Sequence, residues 1–149
     1  MPRGVKNPLH HSFPSRLRES RETRGLSAQA LSLLAGIGRA TVAQIERRTR
    51  IPRLPHVVEL ARTLGVSPAW LAFGVGSPVW AHPDLDGIGE RIRSVRLTLG
   101  VTYREIGTAA GCSEGAVRFV ERGTQPRLDT VERIAISLGV NPAWLAFGG

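Results

Sequence analysis

Cysteine, lysine and aromatic residues are scarce in this chain. Cys112 is the only cysteine among 149 residues, which excludes an internal disulfide framework and a cysteine-based zinc cluster. Lys6 is the only lysine, so arginine carries nearly all the positive charge. No apolar run approaches the roughly 20 residues that span a bilayer. Met1 to Ser15 holds Pro and His where a secretory leader needs an apolar stretch, so the expected location is a reducing, cytoplasmic one. His10 and His11 lie outside the repeated segments described below, and His56 and His82 lack partners at ligand spacing. No metal site is expected. Asp84 and Asp86 form an acidic pair without the His or Glu set of a nuclease. With no glycine-rich phosphate loop and no Ser/His/Asp arrangement, neither a cofactor nor enzymatic activity is expected.

What the chain does have is charge and core. Lys+Arg number 20 against 12 Asp+Glu, a net charge of +8, and 42% of residues are hydrophobic. Wholesale disorder is excluded, and the charge favours a polyanion as partner.

The sequence also contains itself twice. Pro-Ala-Trp-Leu-Ala-Phe-Gly stands at 68–74 and again at 142–148. At the same shift of 74, Pro52, Arg53, Leu54, Val57, Ala61 and Leu64 meet Pro126, Arg127, Leu128, Val131, Ala135 and Leu138. Upstream the shift is 75: Arg16, Arg21, Gly25, Gly36, Val42 and Glu46 meet Arg91, Arg96, Gly100, Gly111, Val117 and Glu121. Each copy is about 60 residues, near the lower end of what folds on one core. The expected boundaries are a flexible basic arm over 1–12, copy one over 13–75, a linker over 76–87 and copy two over 88–149. Ser-Pro, His-Pro and Asp-Gly pairs mark the linker.

Both copies have helical spacing and no alternating strand pattern. Ser12-Phe13-Pro14 suits a first helix start, and Gly25 and Gly100 suit its end. Ser27 and Thr102 are N-caps of a second helix. A third is expected over about 38–48 and 113–122. Leu54, Val57, Ala61 and Leu64 predict a fourth, amphipathic helix. Ser67-Pro68 and Asn141-Pro142 open a short fifth one, with Trp70 and Trp144 folding back onto the core. The expected fold is all-α, with two tandem five-helix units.

Helix two, a glycine-containing turn and helix three have the spacing of a helix-turn-helix. Leu26-Ser27-Ala28-Gln29 through Glu46-Arg47, followed by Leu64-Gly65-Val66-Ser67-Pro68-Ala69-Trp70-Leu71, resembles the lambda-repressor/Cro (XRE-type) family. Val101-Thr102 through Glu121-Arg122-Gly123, followed by Leu138 to Leu145, resembles it again. The resemblance implies a sequence-specific double-stranded DNA-binding regulator, most simply a repressor, associated with the nucleoid, whose third helix enters the major groove. Residue by residue, it implies base contacts from Arg39, Ala40 and Gln44. Arg39 suits guanine O6 and N7, and Gln44 suits adenine. Phosphate contacts are implied for Ser27, Gln29 and Thr41, and after helix three for Arg48, Arg50 and Arg53. Ala28 stands where the family usually has a phosphate-gripping Gln. The resemblance further implies structural salt bridges Arg21–Glu46 and Arg96–Glu121.

The copies differ where they are expected to touch DNA. Copy one, 16–76, carries ten Arg and four acids; copy two, 90–149, carries eight Arg and six acids. Opposite Arg39, Ala40 and Gln44 stand Glu114, Gly115 and Phe119. Glu114 suits a cytosine amino group and Phe119 a thymine methyl. Tyr103 takes the phosphate-gripping position, and Arg104 and Arg127 are further phosphate candidates. Two readings follow. Either the copies form a pseudo-dimer that reads two unlike half-sites, or copy one alone reads bases. In the second reading Tyr103 and Phe119 make an antitoxin-like partner or self-association face, so a homodimer or protein partner stays open. Pro2 to Lys6 reads as a disordered tail or a minor-groove arm. Cys112 reads as a buried, inert thiol, and Trp80 as a wedge between the copies or into a second chain.

Overall fold

The computed structural model describes residues 8–149, so the tail Pro2 to Lys6 lies outside the described residues. Copy one comprises α1 (Phe13–Thr23), α2 (Ala28–Leu34), α3 (Thr41–Glu46), α4 (Leu54–Leu64) and α5 (Pro68–Phe73). Copy two comprises α6 (Ile88–Leu99), α7 (Tyr103–Ala110), α8 (Glu114–Glu121), α9 (Leu128–Leu138) and α10 (Pro142–Phe147). The described residues contain no strand beyond two isolated bridges.

Local chemistry sets the helix ends. Ser27, Ser67, Thr102, Ser113 and Asn141 each accept a backbone N–H from the first turn they cap. Thr102 and Glu105 complete a capping box on α7. Helix three differs between the copies. The sequence predicts matching helices, but α3 has six residues and α8 has eight. Ser113 Oγ accepts the Ala116 N–H at 3.0 Å. Its counterpart, Gly38, has no side chain to do this, and Arg39 and Ala40 form a turn instead of a first helical turn.

One hydrophobic core runs through both copies. The junction has two-fold character. Leu54 N–H donates to Pro126 O at 3.1 Å, and the counterpart Leu128 N–H donates to Pro52 O at 2.9 Å. Arg53 and Arg127 form an antiparallel bridge between these bonds. Phe73 and its counterpart Phe147 pack with ring centroids 6.1 Å apart, and α5 lies against α10. Exchanging the copies maps this set of contacts onto itself, which is the mark of an isologous interface. Inside each copy an arginine braces the same joint. Arg16 donates to Leu71 O and Ala72 O, both at 2.9 Å, and Arg91 donates to Leu145 O and Ala146 O at 3.0 and 3.2 Å.

Three expectations change here. Residues 8–12 are not a free arm: Leu9–Ser12 is a 3-10 helix packed against α1 and α5 of copy one and α9 of copy two. The buried carboxylate of Glu132 accepts from Leu9 N–H at 2.6 Å and His10 N–H at 2.9 Å, and lies 2.6 Å from His10 Nδ1. Burial resists ionisation of Glu132, but these bonds and the His10 charge outweigh it and hold the carboxyl below its usual range. The two fifth-helix tryptophans part ways: half-buried Trp70 packs against the core as expected, whereas Trp144 is exposed, and Leu71, Ala72 and Phe73, with Leu145, Ala146 and Phe147, fill the core itself. Trp80 lies beside copy one, with the Arg62 guanidinium 5.6 Å from its ring centroid.

Candidate nucleic-acid interface

Buried Leu31, Val42 and Ile45 hold α2 across α3. Ser32, fully buried on α2, accepts the Val42 N–H through Oγ at 3.0 Å and so fixes the start of α3. The far end is fixed from α1. Arg21 makes a two-pronged pair with Glu46, Nε to Oε2 at 2.8 Å and Nη2 to Oε1 at 2.7 Å, and also donates to Leu26 O. In copy two, Arg96 binds Glu121 the same way at 2.9 and 3.0 Å. All four side chains are largely buried. Burial resists the charge on Glu121, but hydrogen bonds from Arg96 and Tyr103, with the Arg96 and Arg93 charges, hold its carboxyl below the usual range. Charged, fork-to-fork pairs of this kind set orientation as well as distance.

With both ends of α3 tethered, its outer face is open. Arg39 and Ala40 are exposed in the turn before α3, Gln44 is half-buried one turn on, and Ser27 and Gln29 are exposed at the start of α2. Gln44 Oε1 accepts from Arg50 Nη1 at 3.3 Å, so Arg50 stands beside that face. In copy two, Glu114, Phe119 and Arg104 are exposed and Gly115 is half-buried.

Several candidates are placed differently from the expectation. Thr41 is 1% exposed, so its hydroxyl does not face a phosphate. Gly38 is the reason: a Cβ there would stand 2.9 Å from Thr41 Oγ1, so the missing side chain gives Thr41 room to turn inward. Tyr103 is also committed internally. Its hydroxyl donates to Glu121 Oε1 at 2.9 Å, and its ring lies 4.4 Å from the Arg96 guanidinium and 5.2 Å from that of Arg118. Arg48, Arg53 and Arg127 are exposed but engaged: Arg48 donates to His11 O at 2.6 Å and Arg53 to Gln125 O at 2.7 Å, while Arg127 pairs with Asp129 at 2.6 Å. Arg48 has φ 62, the left-handed region that its counterpart Gly123 enters without a Cβ penalty. Cys112 is half-buried rather than buried, and that burial raises its thiol above the usual range against the opposing charge of Arg133.

Sequence reasoning left Arg16 and Arg91 without a role, and it gave Arg53 and Arg127 to phosphates and Leu54 to the fourth helix without seeing that the Pro52–Leu54 and Pro126–Leu128 segments meet, although all of them stand in the repeat. Glu132 had no such signal, because its counterpart is the buried Val58. No group of three or more His, Cys, Asp or Glu gathers at metal-binding distance among the described residues. No helix among them is long and apolar enough to cross a membrane.

Two tethered helix-turn-helix units, each with an open third helix, define the class of fold that presents a helix to a nucleic-acid groove. The comparisons agree with it. A helix-turn-helix family profile matches residues 17–71 and again residues 92–145, so the chain belongs to this family, XRE-type, as two tandem copies. The HTH-type transcriptional regulator PrtR of Pseudomonas aeruginosa is 33% identical over 126 aligned positions, covering 74% of this chain and 48% of PrtR. The chain thus spans about half the length of that relative. No solved structure matches significantly.

Proposed function

We propose that this chain is a sequence-specific double-stranded DNA-binding transcription regulator, acting as a cytoplasmic, nucleoid-associated repressor. The observation that supports this reading best is that exposed Arg39 and Ala40, in the turn leading into α3, and half-buried Gln44 on α3 stand on a segment tethered at both ends, by Ser32 at one and Arg21 at the other. A side chain chooses a base only if its backbone is held in register, and here the register is set by buried contacts. Arg39 takes guanine, Gln44 takes adenine, and Ala40 gives close approach to a thymine methyl. Ser27, Gln29 and Arg50 hold the backbone phosphates. The net charge of +8 gives affinity that falls as salt rises. Occupying an operator is enough to block transcription, so repression needs nothing beyond this contact.

The test is a gel shift at rising salt with Arg39→Ala. Specific binding drops by about 5- to 150-fold, the equivalent of one bidentate base contact, while non-specific binding barely moves. Equal loss on every duplex moves Arg39 to the phosphates. The 58% exposure of Phe119 favours one other reading, a protein-partner or self-association face on copy two. In that case Phe119→Ala alters oligomeric state or partner capture and leaves DNA binding unchanged.

A further inference from the structure

We infer that one chain, without a second copy, is the complete DNA-reading unit, and that its operator is two unlike half-sites. Arg39 and Gln44 read one half-site; Glu114 and Phe119 read the other. The inference rests on the DNA-binding reading above and adds the form of the site.

Three observations carry it. The first is the junction, whose paired bonds, Leu54 to Pro126 and Leu128 to Pro52, turn into each other when the copies are exchanged. The Phe73–Phe147 pair is its own counterpart under that exchange. A two-fold protein matches the local two-fold symmetry of a duplex, and such units take half-sites about one helical turn apart. Here that symmetry is already present within one polypeptide. The second is the path of exposed cations from α3 to the axis. Arg50 hydrogen-bonds to Gln44 on α3, and Arg53 lies in the bridge at the axis itself. The third is the division between scaffold and surface. The Arg–Glu tether of helix three and the arginine brace of the fifth helix appear in both copies with the same geometry. The outward positions do not repeat: Arg39 faces Glu114 in the alignment, and Gln44 faces Phe119. A carboxylate accepts from cytosine N4, and an aromatic ring contacts a thymine methyl, so the second half-site differs from the first in base content. Glu114 is exposed and makes no ion pair among the described residues, so it is free to do this.

Selection from a random duplex pool with the full chain tests the inference, with the mass of the resulting complex measured alongside. The expected result is two unlike conserved blocks, centred about 10 base pairs apart, in a complex of one chain per duplex. Glu114→Ala lowers discrimination at one position of the second block by about fivefold or more and leaves the first block unchanged. The double change E114R and F119Q turns the second block toward an inverted repeat of the first; both side chains are exposed, and a matching circular-dichroism melt confirms folding. A single conserved block overturns the inference and leaves DNA reading by copy one standing. A palindrome bound by two wild-type chains also overturns it. No enriched sequence at all removes the DNA-reading proposal along with it.

Discussion

On the second helix, where it faces the start of the third, copy one carries Ser32 and copy two carries Gly107. Ser32 Oγ accepts the Val42 N–H, so a buried hydrogen bond joins α2 to the start of α3. Gly107 has no such group, and a Cβ there would lie 2.6 Å from Cys112 O, so the turn backbone passes directly over it. One copy makes the crossing with a hydroxyl, the other with close approach. Helix three also ends alike and begins differently. The Arg–Glu pairs match, while α8 has the Ser113 cap and α3 does not. The packing of the unit therefore tolerates different solutions at one joint, provided helix three stays tethered.

The largest expected effect is on the Arg–Glu tether. Glu46→Ala or Glu121→Ala strands a largely buried guanidinium and costs about 3–5 kcal/mol in denaturant unfolding. Glu121→Ala is the costlier, because Tyr103 loses its acceptor as well. Equal losses would mean that the Tyr103 bond adds nothing. The same carboxylate gives a pH test. The folded Glu121 titrates below its unfolded value, so its contribution is complete above the ordinary carboxylate range and is lost as pH falls through the lowered one. Glu121→Gln should flatten the acid limb of a melting-temperature profile below about pH 4.5. A smaller effect is expected from Ser32→Ala, about 1–3 kcal/mol, because the Val42 N–H is left buried without a partner. Its mirror, Gly107→Ser, should also destabilise, through overlap with the Cys112 carbonyl; tolerance of both changes would erase the distinction between the two turns. Ser113→Ala removes the α8 cap at a cost of about 1 kcal/mol. The smallest change is a gain. Gly115→Ala meets only ordinary contacts, 3.8 Å to Ser113 Oγ and 3.9 Å to Phe119 Cε2, and should stabilise by about 0.5–1 kcal/mol in a thermal melt.

Much of this molecule is written in short-range spacing. The Ser27, Thr102 and Asn141 caps, the Leu54-to-Leu64 stripe and the glycine stops at 25 and 100 are local signals, and the helices follow them. The Arg21–Glu46 pair was legible only through the family resemblance, since 25 residues separate its partners. Thr41 was misplaced because its burial depends on the missing side chain at Gly38, a packing effect that no spacing reveals. Tyr103 was misplaced for a related reason: Glu121 sits 18 residues away, and only the folded chain brings them together. The 3-10 helix at Leu9–Ser12 escaped because its partner, Glu132, lies 123 residues from Leu9. The copy-to-copy junction left repeated residues in plain view, Pro52, Leu54, Pro126 and Leu128, but a repeat does not say which of its members meet.

In a homodimer, every substitution near the symmetry axis arrives twice, and a residue there must be compatible with itself. The bridge at Arg53 and Arg127 is free of that rule. Arg53 already reaches to Gln125 O, while Arg127 has turned to Asp129. A single codon can change one side of this joint and spare the other. Joining the halves by a peptide chain also means that dilution cannot separate them. Even at very low copy number, each molecule keeps its two copies side by side.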